Sequence, residues 1–395
     1  MLTNERWLLP QGIEESLPAE AAKLEGLRRK LLDMYASWGY QLVMPPFIEY
    51  LESLLTGTGH DLDLQTFKLI DQLTGRSMGV RADMTPQVAR IDAHQLNKDI
   101  PNRLCYIGAV LHTRPDGFGG SRSPLQVGAE IYGHAGVESD VEVLCLMLET
   151  FKTAGVNDVF VDIGHVGIFR GLAKQAKLDK DSEACLFEML QRKAIPEIEQ
   201  FLASSSIKAD VSDMLRALAD LHGDADVLKK AEQIFAKADV SVKEALSYLV
   251  STADKLQQRM DDVRLHFDLA ELRGYHYQTG IVFAAFVAGH GQEIARGGRY
   301  DDIGKVFGRA RPATGFSTDL KSLVDLSADN NQINSSSVIF APVSDDDSLR
   351  QAIAELRAKG EQIIEALPGQ KAGAAEMSCE QILVQRDGQW LVEKA

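Results

Sequence analysis

At 395 residues, with 45% hydrophobic and 25% charged side chains, the chain is long enough for more than one domain and a full core. A formal charge of -15 and a pI near 5.1 exclude a sequence-independent grip on a phosphate backbone and speak against tRNA or any other nucleic acid as a partner. Apolar runs such as Ile281–Ala288 fall short of the ~20 residues that span a bilayer, no signal-peptide core opens the chain, and Cys105, Cys145, Cys185 and Cys379 form no Cys-x-x-Cys pair, so a soluble cytoplasmic protein with reduced thiols and no membrane partner is expected.

Leu24, Leu27, Leu31, Met34 and Trp38 recur at three- and four-residue steps and predict an amphipathic helix that starts near Ser16 and Pro18 and stops at Gly39. A strand over Tyr40–Met44 then runs into Pro45-Pro46-Phe47-Ile48-Glu49. Thr66–Asp71 and Arg76–Arg81 read as a hairpin across Leu73-Thr74-Gly75, followed by a helix from Pro86 to Gln95. A second hairpin pairs Leu104–Thr113 with Pro124–Gly133 around a long tip rich in Gly, Arg and Ser. A helix over Ser139–Lys152 and a strand over Val156–Ile163 follow. From about residue 166 to 260 the composition turns to Ala, Leu, Lys and Asp at helical spacing, which predicts a helical insertion. Strands resume at Val263–Leu269 and Gly280–Val287. The polar stretch at 327–337 reads as a linker between a main domain, 1–326, and a small α/β module, 338–395, with strands at Val338–Pro342, Gln362–Glu365, Gln381–Gln385 and Trp390–Val392 and a helix near Asp345–Lys359. The fold class expected is α+β.

The hairpin Tyr106–Glu130 resembles motif 2 of the class II aminoacyl-tRNA synthetases, histidyl-tRNA synthetase in particular. In that family the first strand ends in Phe-Arg-x-Glu, whose arginine holds the α-phosphate of ATP; here Leu111-His112-Thr113-Arg114 stands in its place. Ala295-Arg296-Gly297-Gly298-Arg299-Tyr300-Asp301, with Ala313-Thr314-Gly315-Phe316-Ser317, is similar to motif 3, and Ser322 stands where that motif's ATP-clamping arginine would be. An arginine offers a permanently charged planar fork matched to phosphate, which neither histidine near neutral pH nor serine supplies. Loss of one such contact costs on the order of 3 kcal/mol in phosphoryl chemistry, so the double loss argues against adenylate formation.

The amino-acid side of the pocket resembles the family more closely. Arg273-Gly274-Tyr275-His276-Tyr277-Gln278 is similar to the histidine-specific Arg-Gly-Leu-Asp-Tyr-Tyr signature, with the aspartate and second tyrosine replaced. Arg81-Ala82-Asp83-Met84-Thr85 corresponds to Arg-Pro-Glu-Gly-Thr, and Gln126 and Glu130 alternate on one strand face where the family contacts its amino acid. The resemblance implies a histidine site of Asp83, Thr85, Gln126, Glu130, Arg273 and Tyr277: Asp83 and Glu130 for the ammonium, Arg273 for the carboxylate, Gln126 and Tyr277 for the ring. Read singly, Gln126 and Glu130 also fit polar residues on the wet face of a strand, Arg273 a surface cation at a turn, and His112, His165 and His276 structural histidines. No spacing supports a metal, and no catalytic motif or cofactor loop competes: Gly57-Thr58-Gly59-His60 lacks the third glycine of a dinucleotide loop, and Gly117, Gly119 and Gly120 suit a hairpin tip.

The resemblance covers about residues 10–325, and the chain is similar in wording to the regulatory subunits of ATP phosphoribosyltransferase, non-synthetase paralogues that read Arg-Ala-Asp-Met-Thr-Pro-Gln-Val-Ala-Arg as at 81–90 and have lost the anticodon-binding domain. The resemblance implies a non-catalytic subunit, without a cofactor, that activates a short catalytic subunit at the first step of histidine biosynthesis and takes part in feedback by histidine. It further implies a homodimer formed through Pro45–Glu49, the counterpart of motif 1, within a hetero-octamer. An active ligase that rebuilds its ATP site with Arg114 or Arg122, and an RNA-binding sensor module, are the rival readings.

Overall fold

The computed structural model describes residues 7–56, 60–115, 121–275, 277–328 and 338–395. The hairpin tip at 117–120, most of the linker at 327–337, the 57–59 turn and His276 lie outside them. The chain divides into two compact units, Met1–Ala328 and Asp329–Ala395.

The first unit is built on a nine-stranded, largely antiparallel sheet. Its strands run, in spatial order, Gln41–Leu42, Asn102–Ala109, Leu125–Tyr132, Ala313–Asp319, Ala295–Arg299, Ile281–Val287, Val159–His165, Arg264–Asp268 and His222–Gly223. Only the first pair and the Val159–His165 and Arg264–Asp268 pair are parallel. Alternation sorts the two faces. Val127, Ala129, Ile131, Phe283 and Phe316 point into the main core, where Leu27, Leu31 and Tyr35 of the helix Pro18–Ser37 meet Leu144, Met147 and Phe151 of the helix Val137–Ala154. Tyr35 and Thr150 close a buried hydroxyl pair at 3.0 Å between those helices. The opposite face carries Tyr106, Tyr132 and Tyr300 and is the one that bears the site.

The predicted helix at 86–95 is an α-helix over Thr85–Arg90 that widens into a π-helix over Ile91–Leu96. The widened turn brings Asp92 onto Arg311 at 2.9 Å and Asn102 at 2.5 Å, a buried polar cluster that sequence periodicity does not reveal. Tyr40–Met44 pairs only over Gln41–Leu42, because Pro45 and Pro46 have no N–H to continue the ladder. The strand expected from Val156 starts at Val159, after Asp158 turns the chain with a left-handed φ of 55°.

Six helices, from Val166–Gln175 to Val240–Arg259, form the insertion. It also adds the short strand His222–Gly223, which covers the edge of Arg264–Asp268. A three-stranded antiparallel sheet of Ile48–Tyr50, Ser77–Val80 and Lys68–Ile70 contains the first predicted hairpin.

In the second unit the strands Ile363–Glu365, Ile339–Ala341, Gln381–Arg386 and Gln389–Lys394 form a four-stranded sheet. Leu349 and Ile353 of the helix Asp347–Ala358 pack with Ile339, Ala341 and Leu383 in a core of their own.

Candidate functional site

Residues on four adjacent strands, the 271–278 turn and the Asp83–Thr85 segment enclose a cleft of about 70 Å³. Asp83, Thr85, Glu130, Arg273 and Tyr277 all line it, although they come from three separate stretches of sequence. Gln126 is not part of the lining. Its amide N–H donates to Asp83 Oδ1 at 2.8 Å and its oxygen accepts from the Met84 N–H at 2.9 Å. Both ends of that amide are spent fixing the Asp83–Thr85 segment, so the pairing of Gln126 with a ligand ring does not follow from its position; it holds Asp83 in place. Asp83 Oδ1 also accepts from the Thr85 N–H at 2.9 Å.

Glu130 is 1% exposed and is enclosed by three tyrosines. The Tyr106 hydroxyl donates to one carboxyl oxygen at 3.0 Å, and those of Tyr132, at 3.1 Å, and Tyr300 donate to the other. Tyr106 also meets Thr85 Oγ1 at 3.2 Å, which links Glu130 to the Asp83 segment. Two in-strand glycines make room for these rings. A Cβ on Gly128 would lie 2.3 Å from the Tyr106 ring, and one on Gly315 would lie 2.4 Å from the Tyr300 hydroxyl. Burial pushes the Glu130 carboxyl up to about 8, and the nearby Asp83 charge adds to the rise, against the pull of the tyrosine donors.

The other side of the cleft is set by the 271–278 turn. Gly274 has a left-handed φ of 66°, its carbonyl accepts from the Gln278 N–H at 2.7 Å, and the Tyr277 ring lies where its Cβ would be. Arg273 pairs with Glu293 at 2.6 Å and with Glu271 at 3.6 Å, and its guanidinium sits 5.4 Å from the Phe286 ring centroid. Arg296, Glu271 and Gln278 complete this wall. The Gln278 side-chain oxygen is buried and has no hydrogen-bond partner among the described residues. In the sheet, Glu130 faces Gly315 and then Gly298, and Arg296 is two residues along from Gly298, so the carboxyl and guanidinium sides are two strands, roughly 10 Å, apart.

His112 and Ser322, where the resemblance would place phosphate-binding arginines, are engaged internally. His112 is buried, its ring Nε2 lies 2.9 Å from the Ala82 carbonyl, and its backbone N–H donates to the Arg122 carbonyl at 2.8 Å. Ser322 donates to Asp319 at 3.1 Å, and Asp319 caps the helix Leu320–Leu326 by accepting from the Lys321 N–H. The Arg122 guanidinium donates to the His112 and Gln11 carbonyls at 3.0 and 3.1 Å. Arg114 is exposed. His165 caps the helix Val166–Gln175 by accepting from the Gly167 N–H at 3.0 Å, and burial pushes it down to about 4, which fits a structural role. Among the described residues no group of three His, Cys, Asp or Glu is placed to hold a metal, and no helix is long and apolar enough to cross a membrane.

A family profile for histidyl-tRNA synthetase matches residues 12–323, and one for the ATP phosphoribosyltransferase subunit HisZ C-terminal domain matches residues 336–393. Over 394 residues the chain is 62% identical to the ATP phosphoribosyltransferase regulatory subunit of Thioalkalivibrio sulfidiphilus, covering 99% of both. The chain belongs to the ATP phosphoribosyltransferase regulatory subunit family. The regulatory subunit of Alkalilimnicola ehrlichii is 56% identical over 385 residues, covering 98% of this chain and 96% of that one. Among solved structures, an ATP phosphoribosyltransferase regulatory subunit/histidyl-tRNA synthetase from Bacillus halodurans superposes with a TM-score of 0.83 at 26% identity, covering 94% of this chain and 96% of its own. A histidyl-tRNA synthetase from Nostoc, at 20% identity with a TM-score of 0.77, covers 96% of this chain and 91% of its own and shares the fold. The regulatory-subunit family thus has a synthetase-like fold, and in this member the side chains at both lost arginine positions are tied into internal hydrogen bonds.

Proposed function

We propose that this chain is the non-catalytic regulatory subunit of an ATP phosphoribosyltransferase, activates a short catalytic subunit at the first step of histidine biosynthesis, and binds histidine for feedback control in the cleft between Glu130 and Arg273. The observation that carries the reading is the contrast within one site. His112 and Ser322 are engaged internally where the resemblance would place phosphate clamps, whereas Asp83, Thr85, Glu130, Arg273 and Tyr277 converge on one cleft. A nucleotide would find no fork-shaped donor at either position, while a zwitterion finds carboxyls and guanidiniums on opposite sides.

Ring recognition falls to Tyr277 and to Gln278, whose buried acceptor has no partner among the described residues. The chain acts as a homodimer within a hetero-octamer in the cytoplasm. Supporting the dimer, Met44, Phe47, Ile48, Leu69, Ile70 and Leu73 are large apolar side chains left 43–95% exposed around the Pro45–Glu49 segment and the small sheet. The net charge of -15 supports a function without nucleic acid.

The isolated chain is expected to form no histidyl adenylate. The check is histidine-dependent exchange of labelled pyrophosphate into ATP. Exchange above the buffer blank that is lost in Glu130→Ala would contradict the proposal and establish a ligase.

A further inference from the structure

The cleft holds two guanidiniums where sequence reading places one. Arg296 stands on the same sheet face as Glu130, between the cross-strand neighbours Ala284 and Ser317, and all three line the cleft. Such small neighbours leave a long side chain room to move across the sheet. Arg273 approaches from the 271–278 turn. The two arginines converge on one carboxylate: Arg273 Nη1 is 2.6 Å from Glu293 Oε2, and Arg296 Nη1 is 3.4 Å from Glu293 Oε1. A carboxylate with each oxygen facing a different guanidinium is the arrangement expected of an amino-acid carboxylate bound at this end of the cleft.

Glu293 belongs to the irregular 288–294 segment, its side chain is 25% exposed, and it stands at the edge of the cleft against two arginines that line it, so its withdrawal toward solvent would not dismantle the wall. If Glu293 leaves, Arg273 keeps Glu271 at 3.6 Å and the face of Phe286, and so remains in position. We propose that Arg273 and Arg296 together form the seat for the ligand's carboxylate, and that Glu293 occupies this seat until the ligand displaces it. The proposal rests on the histidine site put forward above and adds to it a second carboxylate-binding residue and an internal competitor. Because displacement exchanges one charge-assisted pair for another, the affinity that is measured is a difference, and removing the competitor's charge raises it.

The test is calorimetry on the full chain with two ligands, histidine and histamine, which share the ammonium and the ring while only histidine has a carboxylate. Glu293→Gln is expected to tighten histidine binding about threefold or more, and Arg296→Ala to weaken it about tenfold, with histamine shifted less than about twofold in both. The wild type carries the same test without a variant, because histidine must bind at least about tenfold more tightly than histamine. Equal affinity of the two ligands for the wild type overturns the seat. So does unchanged or weaker histidine binding in Glu293→Gln, which leaves the histidine site standing, whereas equal affinity also removes Arg273 from that site. Absence of histidine binding to the wild type overturns both the seat and the site.

Discussion

Glu130→Ala and Arg273→Ala are each expected to weaken histidine binding at least tenfold, because deleting a charge that pairs with a desolvated ligand costs about 2 to 5 kcal/mol. The Glu130 change removes the group on which Tyr106, Tyr132 and Tyr300 converge, so its effect should be the larger. Arg273 is 42% exposed at its side chain, which places it toward the lower end of that range.

The same carboxyl makes binding depend on pH. In the empty cleft Glu130 keeps its proton up to about 8, while a ligand ammonium favours the ionised form. Histidine binding near pH 7 should therefore release protons, and affinity should rise between pH 6 and 8. The folding linkage has the opposite sign: the raised value stabilises the fold below the ordinary carboxylate range, and that contribution is lost as pH climbs to about 8. Titration calorimetry in two buffers of different ionisation enthalpy reads affinity and proton release together. A substitution in the 327–337 linker should change neither, and full binding in both pocket variants would show that the cleft serves only the fold.

Arg299→Ala should be the most destabilising single change in the first unit, at about 3 to 5 kcal/mol, a large share of the stability of a typical domain. Arg299 is 4% exposed and Asp140 is 0% exposed. The guanidinium donates to Asp140 at 3.0 and 3.1 Å, to Ser139 Oγ at 2.8 Å, and to the His134 and Gly136 carbonyls. Tyr248 of the insertion donates to the same Asp140 at 2.5 Å, so the network joins the insertion to the sheet. Truncation leaves Asp140 as a buried charge with only the neutral hydroxyls of Tyr248 and Thr314 as donors. The double change Arg299→Met with Asp140→Leu should recover much of the loss, since neither charge is then buried alone. Urea unfolding gives the comparison, and an Arg299→Ala protein within 1 kcal/mol of the wild type would refute the account of this network.

Period and turn chemistry made most of the frame legible in the sequence. The 3.6-residue spacing of Leu24, Leu27 and Leu31 identifies the helix Pro18–Ser37, and alternation identifies the two strands of the motif-2-like hairpin. The site was legible only by kind. Gln126 and Glu130 share a strand face, and alternation alone cannot separate a residue that lines the cleft from one that braces Asp83 behind it. What decides between them is the cross-strand neighbour: Gln126 faces Gly108, over which the Arg81 side chain lies, whereas Glu130 faces Leu104 and Gly315 among the tyrosines. Tyr106 and Tyr132 come from the two arms of one hairpin and Tyr300 from just beyond the strand Ala295–Arg299, far away in sequence, and the signal that could have found them is the unusual presence of Gly128 and Gly315 inside apolar strands. Arg296 lies in a glycine-rich stretch with no periodicity of its own, and only the register, which sets it beside Ala284 and Ser317, places it on the face that carries Glu130.

The most direct test of the regulatory role is reconstitution with the short catalytic subunit from the same organism, following phosphoribosyl transfer from phosphoribosyl pyrophosphate to ATP. The catalytic subunit alone should turn over slowly and the isolated chain not at all. Adding the chain should raise the rate by about tenfold or more, saturating at a fixed ratio of the two as the complex grows in size. A catalytic subunit whose rate and size are unchanged by saturating amounts of the folded chain would contradict the account.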